Sequence, residues 1–216
     1  MYPDLSIDYG SPEETLNEDE YFHPMFSIPY LHLRVSNWEY KKNKLLDLYE
    51  ERYNNKEQFK HEADDVNGEN IFSVQTDYHY NQYHNYDYSE KVCDILDEEF
   101  QRVSSYFNVN ISIDKPWFEK ASKMQQHTVH NHGTDGLSGV CFIKYNKKVH
   151  TPTQFINPDT SSKFEVNFVD NSIDEGSLII FPSYVYHFTE CNTTNEERII
   201  MSFNAPIDAF CDEECE

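Results

Sequence analysis

Positive charge is what this chain has least of: 17 Lys and Arg stand against 39 Asp and Glu, a formal net charge of −22. A field of that sign repels nucleic-acid phosphates and anionic membranes at long range, which argues against direct binding to either. It would attract a basic peptide or a cationic small molecule, although solubility is the plainer use of so much surface acid. Apolar residues are also scarce, at 38% of the chain. No run of them approaches the length that crosses a bilayer. The acidic opening MYPDLSIDYGSPEETLNEDE is neither a signal peptide nor a transit peptide, so a cytoplasmic protein is expected. The five cysteines (Cys93, Cys141, Cys191, Cys211, Cys215) are odd in number and scattered. They argue against a disulfide framework and for free thiols in a reducing compartment. Cys211 and Cys215, in the tail CDEEC, are too few for a structural zinc site.

Aromatic side chains are what the sequence does supply: 16 Tyr and 15 Phe in 216 residues. Each buries a large area, so one domain can still build a core. Residues 1–24 read as an acidic arm and 207–216 as an acidic tail. Between them, 25–110 reads as a support region of helix and strand, and 111–206 as the main β core.

In the support region, FSIPYLHLRV has strand character. Ser36 and Glu39 make an S-x-x-E capping signature ahead of a helix, WEYKKNKLLDLYEERY. The polar stretch NNKEQFKHEADDVNGEN reads as a loop, and IFSVQT as a short strand. TDYHYNQYHNYDYS carries five tyrosines and two histidines, His79 and His84, without aliphatics. It reads as a loop packed on the surface, or as the wall of a substrate mouth. EKVCDILDEEFQRVSSYF is the clearest helix, with Val92, Ile95, Leu96, Phe100, Val103 and Phe107 at helical spacing. Asp87 or Ser89 could cap it.

From residue 111 the texture becomes eight short β-like runs: PWFEKASKMQ, HTVHNH, SGVCFIKY, TQFINP, KFEVNFV, GSLIIFPS, YHFTEC and RIIMSFNA. Turn residues bound each run, and no helix lies between them. That pattern predicts a mainly β fold with flanking helices, a jelly-roll or cupin-like core with the two helices on one outer face.

Within this core, HTVHNHGTDGLSG concentrates three histidines. Side chains alternate along a strand, so His130 and His132 are expected on one face and His127 on the other. Taken alone, the pair is better explained as two surface histidines. The later histidines are His150 and His187, and His187 begins a strand just after GSLIIF ends at Pro182. Arg198 opens RIIMSFN and shares a face with Ile200, Ser202 and Asn204. An arginine in an apolar strand needs a partner. A bidentate carboxylate ligand would serve, and so would one of the chain's many acids.

Taken together, the three segments HNHGTDGLSGVCFIKY, DEGSLIIFPSYVYH and EERIIMSFN resemble the Fe(II)/2-oxoglutarate-dependent oxygenases, in particular a small group found in bacteria and phages. The match is good over residues 111–206 and holds in outline over 25–110. The resemblance implies a double-stranded β-helix holding Fe(II). It makes His130, His132 and His187 the iron ligands, with no catalytic residue beyond them. Arg198 would hold the distal carboxylate of the cosubstrate 2-oxoglutarate, and Ser202 would add a hydrogen bond. Two departures stand out. The wider superfamily mostly uses a His-x-Asp pair where this chain has His-x-His. Asp135 is the rival carboxylate, but it lies beyond a glycine on a turn, so His132 is preferred. Second, the position two after the arginine, often Ser in relatives, is Ile200.

The implied reaction is oxidative decarboxylation of 2-oxoglutarate to succinate and CO2, coupled to hydroxylation of a C–H bond on a peptide side chain or small metabolite. Phe142, Phe181 and Phe188 could help dry the cavity, or could be ordinary core. Two other readings stay open. A three-histidine cupin-type dioxygenase would dispense with 2-oxoglutarate, and a metal-stabilised jelly-roll binding module would not be an enzyme. A homodimer is one option for assembly.

Overall fold

The protein is described from a computed structural model over residue 28 and residues 30–208, apart from 56–57, 62–63, 66–67, 70–71, 84–86, 108–109, 112, 157–165 and 169–171. The acidic arm, the end of the tail with Cys211 and Cys215, and His84 lie outside the described residues.

The support region runs β1 (Leu31–Arg34), α1 (Trp38–Tyr53), β2 (Lys60–His61), β3 (Asp64–Asp65), β4 (Gly68–Glu69), β5 (Gln75–Thr76), α2 (Tyr78–Tyr83) and α3 (Asp87–Phe107). The β core follows as β6 (Asn110–Ile111), β7 (Asp114–Ala121), β8 (His127–His130), β9 (Leu137–Lys144), β10 (Gln154–Ile156), β11 (Val166–Phe168), β12 (Ser177–Pro182), β13 (His187–Thr189), β14 (Arg198–Ala205) and β15 (Ile207–Asp208).

Helix α1 buries Lys41, Leu45, Leu48 and Tyr49, a spacing that puts one face against the core. Its start differs from the capping expectation. Asn37 takes the N-cap position in the left-handed region (φ 49, ψ 43) and makes no side-chain cap bond. Ser36 instead gives its hydroxyl to Glu98 and Glu99 on α3. Glu99 is fully buried and also accepts from Lys41 Nζ at 2.7 Å. The hydroxyl therefore ties two helices together, and a partner on α3 outcompetes the local cap. On α3, Val92, Leu96, Phe100 and Val103 are buried, as the helical periodicity predicts. Two segments expected as loops carry structure: α2 begins the tyrosine-rich stretch, and the polar stretch holds β2, β3 and β4.

The major sheet has the order β1-β12-β9-β14-β7-β5-β2, and a four-stranded sheet has the order β11-β10-β13-β8. Their strand pairs are antiparallel. Alternation along β14 shows how the layers form. Ile199, Met201 and Phe203 enter the core shared with α1 and α3. Ile200 faces the other way, into a smaller core with Val140, Phe142, Ile179 and Phe181, which Phe155 of the four-stranded sheet covers. Helices thus pack on one face of the major sheet and the smaller sheet on the other, the expected jelly-roll arrangement. Among the described residues, no helix is long and apolar enough to cross a membrane.

Candidate metal centre

β8 pairs with β13, with His187 opposite His130 and Thr189 opposite His127. Two steps on one strand match three on the other, so β8 carries a bulge. Strict alternation had put His127 on the face away from His130. The bulge turns it back, and the two imidazoles stack with centroids 3.9 Å apart and planes 12° apart. The chain then leaves the strand, and His132 is anchored by its backbone N–H to the Ser183 carbonyl (2.9 Å). The turn after it needs Gly136, at φ +86, where a Cβ would stand 2.6 Å from the Ala205 carbonyl oxygen.

His130, His132 and His187 each offer one ligand atom, and these atoms lie within 4.8 Å of one another. The chemistry of the set is that of a metal site. His130 Nδ1 lies 2.8 Å from the Thr128 carbonyl, His132 Nδ1 2.7 Å from Asn204 Oδ1, and His187 Nδ1 2.9 Å from the Val185 carbonyl. Each oxygen accepts, so each Nδ1 must donate. The lone pair of every ring is then on Nε2, and the rings are fixed in orientation. Burial, reinforced by His130, pulls His187 down to about 2. Burial likewise lowers His132 to about 4, against the pull of the Asn204 hydrogen bond. Both rings are therefore neutral near pH 7, the form that binds metal. Phe181 packs edge-on against His187, with centroids 4.8 Å apart, and Phe155 packs on Phe181 at 4.7 Å. Asp135 is exposed on the turn, beside Thr134, and is not in the group. His150 is used elsewhere: its Nδ1 accepts from the Asn146 N–H at 3.1 Å.

Arg198 is buried, and its partners are protein groups. Nη2 donates to Thr189 Oγ1 (2.8 Å) and to Glu119 Oε1 (3.4 Å), and Nη1 donates to the Thr151 carbonyl (3.3 Å). Glu119, on β7, is as buried as the arginine, and its Oε2 accepts from His127 Nδ1 at 2.6 Å. Burial alone would raise the Glu119 pKa. The charge and hydrogen bond of His127, then Arg198, outweigh it and hold the carboxyl down at about 2. For Arg198, burial lowers the pKa and Glu119 opposes it. A guanidinium starts so high that it stays charged. Ser202 is buried on the same strand, in register with Trp117 and Val140.

In front of the histidines lies a cavity of about 230 Å³ lined by Thr76, Tyr78, Trp117, Asn131 and Asn204 together with His127, His130 and His132. Trp117 packs against His132 at 5.4 Å between centroids, and Tyr78 packs edge-on against Trp117 at 5.0 Å.

Residues 115–204 match the model of a family described as "Putative 2OG-Fe(II) oxygenase". Over that stretch, less than half of the chain, the sequence is similar to the Fe(II)/2-oxoglutarate-dependent oxygenases. The cofactors which that similarity implies are Fe(II) and 2-oxoglutarate. No curated protein sequence matches significantly. Among solved structures, the fold is similar to that of the α-ketoglutarate-dependent epimerase SnoN from nogalamycin biosynthesis: TM-score 0.63, 10% identity, 82% of this chain and 76% of that one. A prolyl hydroxylase from Trichoplax adhaerens, in complex with a hypoxia inducible factor peptide, gives TM-score 0.56, 10% identity, and 82% and 83% coverage. A Pseudomonas putida prolyl-4-hydroxylase gives TM-score 0.56, 12% identity, and 82% and 92% coverage. At such identities these likenesses speak for the fold alone.

The three histidines fit Fe(II), since imidazole nitrogens suit it and all three rings present Nε2. For the cosubstrate, the fitting observation is Arg198 Nε, a buried donor with no hydrogen-bond partner among the described residues. Sequence reasoning brought His130, His132, His187 and Arg198 to one side of the fold. It missed Glu119, whose one sequence signal is that strand alternation puts it on the same face as Trp117 and Ala121.

Proposed function

We propose that the protein is an oxygenase that hydroxylates a C–H bond, with His130, His132 and His187 holding Fe(II) and Arg198 holding the distal carboxylate of 2-oxoglutarate. The observation that carries the ligand assignment is the matched tautomer: three buried or half-buried rings, each with Nδ1 spent on an oxygen and Nε2 left to converge. Three neutral ligands leave the ion its full double charge, which a dianionic cosubstrate balances. Bound iron and 2-oxoglutarate would supply O2 activation, with release of succinate and CO2.

The chain's own residues do the rest. Asn204 and the carbonyls of Thr128 and Val185 fix the rings. Phe181 and Phe155 keep water from the His187 side, which strengthens every polar contact within. Trp117 and Tyr78 form the wall of the substrate cavity, with Thr76 and Asn131 as its polar contacts. No Lys or Arg lines it among the described residues. With the net charge of −22, this favours a neutral or cationic group on the substrate, whether peptide side chain or small metabolite. Ser202, on the same face of β14 as Arg198, would add a hydroxyl hydrogen bond to the cosubstrate.

The test is anaerobic addition of Fe(II) and then 2-oxoglutarate, following the weak visible charge-transfer band of the chelate. The band is expected in wild type and in Asp135→Ala, and lost in His132→Ala. Arg198→Ala should need more 2-oxoglutarate to reach the same intensity. A band that survives His132→Ala and disappears with Asp135→Ala would overturn the ligand assignment. Hydroxylation itself is checked by mass: a substrate gains one oxygen, whereas an epimerase product gains none.

A further inference from the structure

The arginine meant for the cosubstrate already has a carboxylate. Arg198 and Glu119 face each other with side-chain exposures of 3% and 2%, so neither charge is screened by water. Glu119 cannot simply swing aside, because its second oxygen is held by His127, which is stacked on His130. The guanidinium is also pinned by Thr189 and by the Thr151 carbonyl. What remains to receive a ligand is the Nε–H and one Nη1–H, beside a pair whose formal charges cancel.

We infer that Glu119 is a positioning residue that sets how tightly 2-oxoglutarate is held, by sharing Arg198 with the cosubstrate's distal carboxylate. This rests on Arg198 being that anchor. A carboxylate bonded to the guanidinium lies close to Glu119, and two like charges in a buried site oppose each other. Glu119 therefore weakens the distal contact while aiming the guanidinium. It also links the two ends of the cosubstrate site. One oxygen holds Arg198, and the other, through His127, backs the ring stacked on His130. Thr189 makes a second link, accepting from Arg198 two residues beyond His187. A charge within about 4–6 Å changes an ionised partner's energy by the equivalent of about 1–3 pKa units, so its removal is worth about tenfold or more in affinity.

The experiment is anaerobic calorimetric titration of the Fe(II)-loaded protein with 2-oxoglutarate and with 2-oxopentanoate, which has a methyl in place of the distal carboxylate. In Glu119→Gln, 2-oxoglutarate is expected to bind about tenfold or more tightly than to wild type, with 2-oxopentanoate little changed. The gap between the two ligands therefore widens. A merely structural role would move both ligands together. A gap that is unchanged or narrower in Glu119→Gln overturns the inference. Should that variant not fold, Glu119→Asp draws the carboxylate back by one methylene and should widen the gap in the same direction; no widening there overturns it equally. Arg198→Ala separates the two levels. If it leaves 2-oxoglutarate affinity unchanged, the anchor assignment itself fails; if it weakens binding while the Glu119 variants do nothing, the role of Glu119 alone fails.

Discussion

Asn204→Ala should loosen the metal without touching a ligand. The Asn204 carboxamide oxygen takes the His132 Nδ1–H at 2.7 Å and so fixes which ring nitrogen faces the ion. Losing such a partner costs about 10–100-fold in metal affinity, or roughly 1.4–2.7 kcal/mol. The structure places this site near the lower end. Ser138 Oγ lies 2.9 Å from the same Nδ1, and its hydroxyl can take over as acceptor. Asn204→Ala alone is therefore expected near tenfold, and the double variant Asn204→Ala/Ser138→Ala near hundredfold. Asn204→Asp, which puts a carboxylate behind the ring, should hold metal at least as tightly as wild type. The assay is anaerobic competition for Fe(II) against a chromogenic chelator, with circular dichroism confirming the fold. The reasoning is refuted if the double variant binds iron like wild type while His132→Ala does not bind it.

Other outcomes rest on the same contacts. His187→Ala and His130→Ala should each purify with little iron, while Asp135→Ala keeps the wild-type content, as read by metal analysis. Glu99→Ala takes the nearer carboxylate from the Lys41 ammonium and leaves it Glu98 at 3.8 Å; a cost of about 3 kcal/mol, the low end for a broken buried pair, is expected from urea unfolding. Gly139→Ala would put a methyl 2.1 Å from Phe203 Cζ and should cost about 1–3 kcal/mol, seen as a lower Tm. Phe181→Ala opens a cavity behind His187; a loss of about 3–5 kcal/mol is expected, and a stability within error of wild type would mean that the ring is not packed against His187.

The eight β runs were legible because period two and turn residues are local signals, and β14 shows the alternation directly: Met201 and Phe203 go one way, Ile200 the other. His130, His132 and His187 were legible because three motifs keep their order in the sequence. What could not be read was whatever depends on a partner far along the chain. His127 changes sides through a bulge that only the β8–β13 register reveals. Ser36 looked like a cap for α1, but its partners Glu98 and Glu99 lie more than sixty positions on. Arg198 was expected to need a carboxylate, but nothing local could choose between a ligand and Glu119, 79 positions away. The tyrosine-rich segment starts a helix although it lacks an apolar stripe; its Tyr78 finds that packing on Trp117 instead.

The chain's two tryptophans sit on opposite sides of the major sheet. Trp38 lies against Gly176 at the start of α1, and Trp117 lies against His132. The molecule thus carries two native optical reporters, one for the helical layer and one for the cavity. Trp38→Phe leaves a single emitter beside the histidines, so that occupancy of the site can be followed by light in the unlabelled protein, with no turnover and no knowledge of the substrate.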